Sequence, residues 1–141
     1  MNRFRHFFLA ATFLLLVSCV PGAVLLTNTS CVPWAQGSEY RLDFYPDDLR
    51  VFPGGSATFD ISLERIREDA AMIRGPFELT AAPSFYIDVE LPSQIRLDGE
   101  PVRVRLTTDR SISTEQHYFV FQAARGDLIV PGCISVTVRA S

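Results

Sequence analysis

After Pro53-Gly54-Gly55 the chain alternates without a break. Ala57, Phe59, Ile61 and Leu63 fall on one side of an extended segment, and Ser56, Thr58, Asp60 and Ser62 on the other. A period of two describes a strand with one buried face and one wet face, and Pro-Gly-Gly before it is a turn. The same period returns at Tyr40, Leu42 and Phe44, at Phe85, Ile87, Val89 and Leu91, at Val102, Val104 and Leu106, and at Ile134, Val136 and Val138. Shorter apolar runs lie at residues 49–52, 77–81, 95–97 and 128–130. Pro46-Asp47-Asp48, Pro92-Ser93, Asp98-Gly99, Gly126-Asp127 and Pro131-Gly132 supply turn residues between them. Seven to nine short strands at this spacing predict an all-β antiparallel sandwich or barrel, in one domain over residues 39–141. Residues 64–75 (ERIREDAAMIRG) break the alternation and predict either one helical turn or a long loop.

The first 18 residues follow a different rule. Arg3 and Arg5 precede an apolar run over residues 7–17 (FFLAATFLLLV), with no acid among them. A basic start, a short apolar stretch and small residues at the break predict a secretory signal. Continuing to Leu26 gives a mostly apolar stretch long enough to span a bilayer, so an uncleaved anchor stays open. Leu16-Val17-Ser18-Cys19 resembles a bacterial lipobox: aliphatic, small or aliphatic, small, cysteine. The resemblance implies lipid attachment at Cys19, cleavage before it, and a membrane anchor of two or more acyl chains, which holds where a single chain binds only marginally. An ordinary cleaved signal with an incidental cysteine is the alternative. Val20 stands where an aspartate would favour inner-membrane retention, which permits the outer membrane or the cell surface. Residues 19–38 then form a tether and lead-in.

With Cys19 assigned to lipid, Cys31 and Cys133 remain, one near each end of the mature chain. Outside the cytoplasm such a pair is expected to form a disulfide. Closing a loop of about one hundred residues is worth roughly 4–5 kcal/mol in the chain-entropy account. Two free thiols or an intermolecular bridge are the alternatives.

Loss of Arg3 and Arg5 with the leader takes the formal charge from −3 to −5. An acidic domain argues against nucleic acid as a partner. The chain contains no lysine, which excludes Schiff-base chemistry. His117 is the one histidine after the leader. A triad with Ser111 or Ser113 and Asp109 lacks a nucleophile elbow, and a structural surface role is the plainer reading. A zinc site lacks ligands. Asp43 with Asp47-Asp48, and Glu68-Asp69, are weak calcium candidates, because neither run has a loop spacing that supplies six or more oxygens. No metal or cofactor is expected. Asp88 and Glu90 are placed to pair across strands with Arg103 and Arg105.

Tyr118-Phe119-Val120-Phe121 is apolar on both faces. If His117, Phe119 and Phe121 share an outer face, they form an exposed patch that marks a partner surface. Alternatively the 64–75 insertion or the lead-in around Cys31 covers them.

Residues 40–140 resemble the immunoglobulin-like modules of bacterial secreted and surface proteins, on PGGSATFDISLER, GPFELTA, VELPSQIRLDGEPVRVRLTTD, HYFVFQA and VPGCISVTVRA. The resemblance implies a two-sheet antiparallel sandwich and transfers no catalytic residue. The 65–74 insertion and the disulfide pair near the ends depart from the pattern. The combined expectation is an envelope lipoprotein whose non-catalytic module binds an envelope protein or a glycan, or acts as a spacer. The alternative is a small periplasmic or surface enzyme, or a solute-binding protein, on the same scaffold.

Overall fold

The computed structural model describes residues 39–140. The expected signal, the expected lipidation site Cys19, the lead-in and Cys31 lie outside the described residues. Within them the all-β expectation holds: nine strands in two sheets, with no helix. The strands are β1 (Tyr40–Tyr45), β2 (Asp48–Val51), β3 (Ser56–Arg65), β4 (Pro76–Ala81), β5 (Ile87–Glu90), β6 (Gln94–Arg96), β7 (Val102–Thr108), β8 (Gln116–Arg125) and β9 (Leu128–Val138). One sheet runs β1-β3-β7-β5 and the other β2-β9-β8-β4-β6. Every pairing is antiparallel except β2 with β9.

Alternation decides which side chains meet. Leu42, Phe59, Ile61, Leu63, Val104 and Leu106 of the first sheet join Leu79, Phe119, Phe121, Val130, Ile134 and Val136 of the second in one buried cluster. The rings of Phe44 and Phe59 stand with their centroids 5.6 Å from that of Phe121, so the two inner faces are in direct contact. The outer face of the first sheet is charged. Arg41 bridges Asp43 and Glu64, each at 3.3 Å, and Arg103 reaches Asp60 at 3.2 Å. Arg103 therefore pairs with Asp60 instead of an acid of β5. In register, Glu90 faces Arg105 and Asp88 faces Thr107.

Three segments depart from the sequence reading. Residues 66–75 form turns and irregular chain, and only Ala70 among them is buried. One apolar anchor in ten residues is too little to specify a helix face. The strand expected to begin at Phe85 begins at Ile87, because Pro83 and Ser84 interrupt the chain just before it. And β9 runs straight through Pro131 and Gly132, which face Gln122 and Phe121. Proline is tolerated there because β2 reaches only Ser135–Val138 of β9, which leaves Pro131 on an open edge where its missing N–H breaks no ladder.

Asp98-Gly99 makes the expected turn, with the Gly99 N–H donating to the Arg96 carbonyl at 3.2 Å. Asp98 itself takes a positive φ of 50°. Its carboxylate accepts from Arg65 Nε at 2.7 Å and from the Arg65 backbone N–H at 3.2 Å. These hydrogen bonds, with the guanidinium charge, hold Asp98 below the usual carboxylate range. A depressed folded pKa adds stability above the unfolded value, about 3.9, and that stability is lost as pH falls through the folded value. Asp98→Asn tolerates the same backbone. It is expected to cost under about 1 kcal/mol at neutral pH and to flatten the loss of stability below about pH 4, as read by urea titration across pH. An acid limb as steep as wild type would remove this role.

Candidate functional site

Three segments meet at the end of the domain opposite Tyr40. Tyr40 pairs with Arg65 at one end of β3, and Ser56 at the other end lies about 30 Å away at the usual strand rise. The first segment is the β2–β3 turn. Gly54 has φ of 78° after Pro53, and the Gly55 N–H donates to the Phe52 carbonyl at 2.8 Å. Proline followed by a glycine at positive φ specifies a type II turn. Buried Thr108 holds it: its hydroxyl lies 3.0 Å from the Phe52 carbonyl, and its N–H donates to the Gly55 carbonyl at 2.9 Å.

The second segment is the β4–β5 connection, residues 82–86. The Asp109 N–H donates to the Tyr86 carbonyl at 2.8 Å, which ties this loop to the end of β7 beside Thr108. The third is residues 109–115. Asp109 Oδ1 accepts from both the hydroxyl and the N–H of Ser111. The Ser111 hydroxyl, then its N–H, keeps the Asp109 carboxyl below the usual range. Ile112 plugs the loop into the core.

This end is aromatic and open. Phe85 is 99% exposed, Phe52 55% and Tyr86 52%. Burying a phenylalanine is worth about 1.5–3 kcal/mol, which this chain forgoes at Phe85. Single exposed apolar residues are ordinary; three aromatics gathered from two loops at one end are the pattern of a contact surface. Two clefts flank the loop and share Ser84, Ile87 and Asp88. One, of about 220 Å³, continues to Thr107 and Asp109. The other, of about 450 Å³, runs between β4 and the edge strand β5, over Leu79, Val89, Leu91 and Phe119.

The patch expected from His117, Phe119 and Phe121 is corrected. Phe119 and Phe121 are 1% and 0% exposed and point between the sheets. Gly132, in register with Phe121, lets Leu42 and Phe44 of β1 approach where a side chain would otherwise stand. His117 is half-buried on the same side. Its Nε2 lies 2.9 Å from the Ser113 carbonyl, 3.4 Å from the Ser113 hydroxyl and 4.0 Å from Glu115. An N–H donated to that carbonyl cannot at the same time accept the serine proton, and the Ser113 hydroxyl donates to Glu115 at 2.7 Å. Asp109 is engaged with Ser111 and not with His117. The triad members are thus brought near one another in pairs but not into one relay.

The weak calcium candidates are likewise occupied by neutralising partners: Asp69 pairs with Arg67, and Asp48 with Arg50 at 3.7 Å. Burial, then the neighbouring Glu64 carboxyl, raises the pKa of Asp43. Among the described residues no group of three or more His, Cys, Asp or Glu side chains is placed to hold a metal. Cys133 lies on the outer side of β9 facing Val120. Its expected partner, Cys31, is outside the described residues.

The aromatic end was missed in the sequence because its segments are about thirty residues apart and Phe85 continues the alternation of β5. Pro83-Ser84 was the signal that the alternation stops short of it.

No family model matches the sequence, and no curated protein matches it significantly. Among solved structures it is similar to domains 1–6 of the surface layer protein SbsC, with a TM-score of 0.48 and 15% identity over 71% of this chain and 13% of that one. It is also similar to the BIgI domain of beta protein from S. agalactiae, in a structure bound to CEACAM1, with a TM-score of 0.41 and 13% identity over 72% and 98% of the two chains. The C-terminal domain of ZirS scores 0.38 at 16% identity, over 84% of each chain. The chain spans about an eighth of the surface layer protein's length.

Proposed function

We propose that this chain is an envelope lipoprotein, anchored through Cys19, whose non-catalytic immunoglobulin-like sandwich presents an aromatic loop end to a protein or glycan partner. The observation that supports the binding role is the exposure of Phe85, with Tyr86 and Phe52 beside it, at the end opposite Tyr40. The strand orders support the sandwich type: β1-β3-β7-β5 follows the A-B-E-D order of such modules, and β9-β8-β4 the G-F-C order. The lipobox-like Leu16-Val17-Ser18-Cys19 supports the anchor and the envelope location. For the disulfide, Cys133 sits on the outer side of β9 in register with Val120. With Cys19 given to lipid, Cys31 is the partner this reading assigns.

Photo-crosslinking in intact envelopes tests the binding role. A photoreactive residue at position 85 is expected to give an adduct that one at Arg103, on the charged face, does not. Protease digestion of the adduct separates a protein partner from a glycan. Phe85→Ser with Tyr86→Ser should abolish competition for that adduct while changing stability by no more than about 0.5 kcal/mol, as is usual for exposed sites. Equal labelling from positions 85 and 103 would reject the loop end as the surface. Cys19→Ser is expected to release the protein from membranes or block its processing, and firm retention would instead favour an uncleaved anchor.

A further inference from the structure

In a layer of two sheets every second residue faces away from the core, and β8 breaks this rule at one place. Phe119 and Phe121 point inward, so Val120 points outward, yet it is only 3% exposed. Ala82, whose N–H donates to the Val120 carbonyl at 2.9 Å, is also 3% exposed. The next outward residue, Gln122, has its Oε1 buried without a hydrogen-bond partner. Around them the outer positions of β8 and β9 are Tyr118, Ala124, Ile129, Pro131 and Cys133, all half-buried. The first sheet offers the opposite picture, with Arg41, Asp43, Asp88, Arg103 and Arg105 exposed on its outer side. One outer face is built for water and the other for cover. Val120 and Cys133 face each other in register.

We infer that residues 24–34 of this chain's own lead-in seat on the outer face of β8 and β9, over Val120. The segment has the required chemistry in Val24-Leu25-Leu26, Val32 and Trp34, and no charged residue. It also has the required reach. Eight chain steps lead from Cys31 to Glu39, up to about 26 Å of extended chain. Cys133 sits five strand positions, about 17 Å, from the end of β9 nearest Tyr40, with about 10 Å between sheet layers to cross. A Cys31–Cys133 bridge would fix the segment's register; the inference rests on the proposed pair for that register and on the buried face for the seat itself. The covered face is then part of the folded domain, and the aromatic end stays open to a partner.

Trp34 is the chain's single tryptophan and reports directly on the seat. In the purified, detergent-solubilised protein its emission is expected to be blue-shifted and shielded from acrylamide. Val120→Arg should shift the emission to the red and raise quenching toward the value in denaturant, while the β-rich circular dichroism spectrum persists. Ala124→Arg, on the same face, replaces it if Val120→Arg does not fold. A freely quenched Trp34 in the folded wild type would overturn the inference, as would a Trp34 that stays shielded in folded Val120→Arg or Ala124→Arg protein. Non-reducing peptide mapping reads the bridge separately. Two alkylatable thiols with a shielded, Val120-dependent Trp34 would remove the staple and support the seat. A linked pair with an exposed Trp34 would leave the staple and overturn the seat.

Discussion

Phe121→Ala is expected to destabilise the domain by about 3–5 kcal/mol. The ring is fully buried and sits where the sheets meet, with centroid distances of 5.6 Å to Phe44, 5.6 Å to Phe59 and 5.3 Å to Phe119. Truncation removes the transfer energy of the ring and leaves a cavity. Strands on both sides, held by their ladders, cannot close it. A domain of this size has roughly 5–15 kcal/mol of stability in all, and each kcal/mol shifts Tm by about 4–8 °C. The variant should therefore melt about 15–30 °C lower or fail to accumulate. Phe121→Leu keeps much of the volume and should cost far less, about 1–1.5 kcal/mol. A loss below about 1 kcal/mol on Phe121→Ala would place the ring on the surface and restore the sequence-based reading of that face.

That reading failed for a physical reason. On β3, apolar and polar residues alternate, and the buried side is legible at once. On β8, Phe119 and Phe121 alternate with Tyr118 and Val120, so both faces are apolar and the period does not say which is inside. Phe119 and Phe121 join the buried cluster between the sheets, and Val120 on the other side of the strand is also only 3% exposed, so burial does not follow the alternation here. Turn chemistry was legible at Pro53-Gly54-Gly55 and Asp98-Gly99, where a positive φ is required. It misled at Pro131-Gly132, because whether proline and glycine turn a chain or ride an open sheet edge depends on how far a neighbouring strand extends. The start of β2 at Asp48, which faces Ser135, sets that limit, about eighty residues away in sequence. The candidate site was the least legible part. Phe52 and Tyr86 come together only through Thr108 and Asp109, and no local pattern records that contact.

Gly132→Val is expected to cost about 3 kcal/mol, and Gly132→Ala about 1–3, through overpacking. A Cβ built at Gly132 would lie 2.9 Å from Leu42 Cβ and 2.9 Å from Phe44 Cε2. The φ there is ordinary, so the constraint is the neighbour and not the backbone. Leu42 Cβ is fixed to β1 and cannot turn away. The Phe44 ring can move, but it leans on Phe59 and Phe121. A competing term exists. Glycine in a strand is worse than alanine by about 0.5–1 kcal/mol through chain entropy, so Gly132→Ala would stabilise the fold if the space were open. The sign of its effect therefore measures how closely β1 and β9 approach. Urea unfolding should show a lower midpoint at unchanged m-value. Adding Phe44→Leu should return part of the loss, with a coupling of about 0.5–3 kcal/mol between the two sites. A neutral or stabilising Gly132→Ala would mean that the sheets stand farther apart than the Gly132–Leu42 approach requires. The close approach at Gly132 also bears on the Phe121 ring, because the Phe44 ring that packs against Gly132 also packs against Phe121.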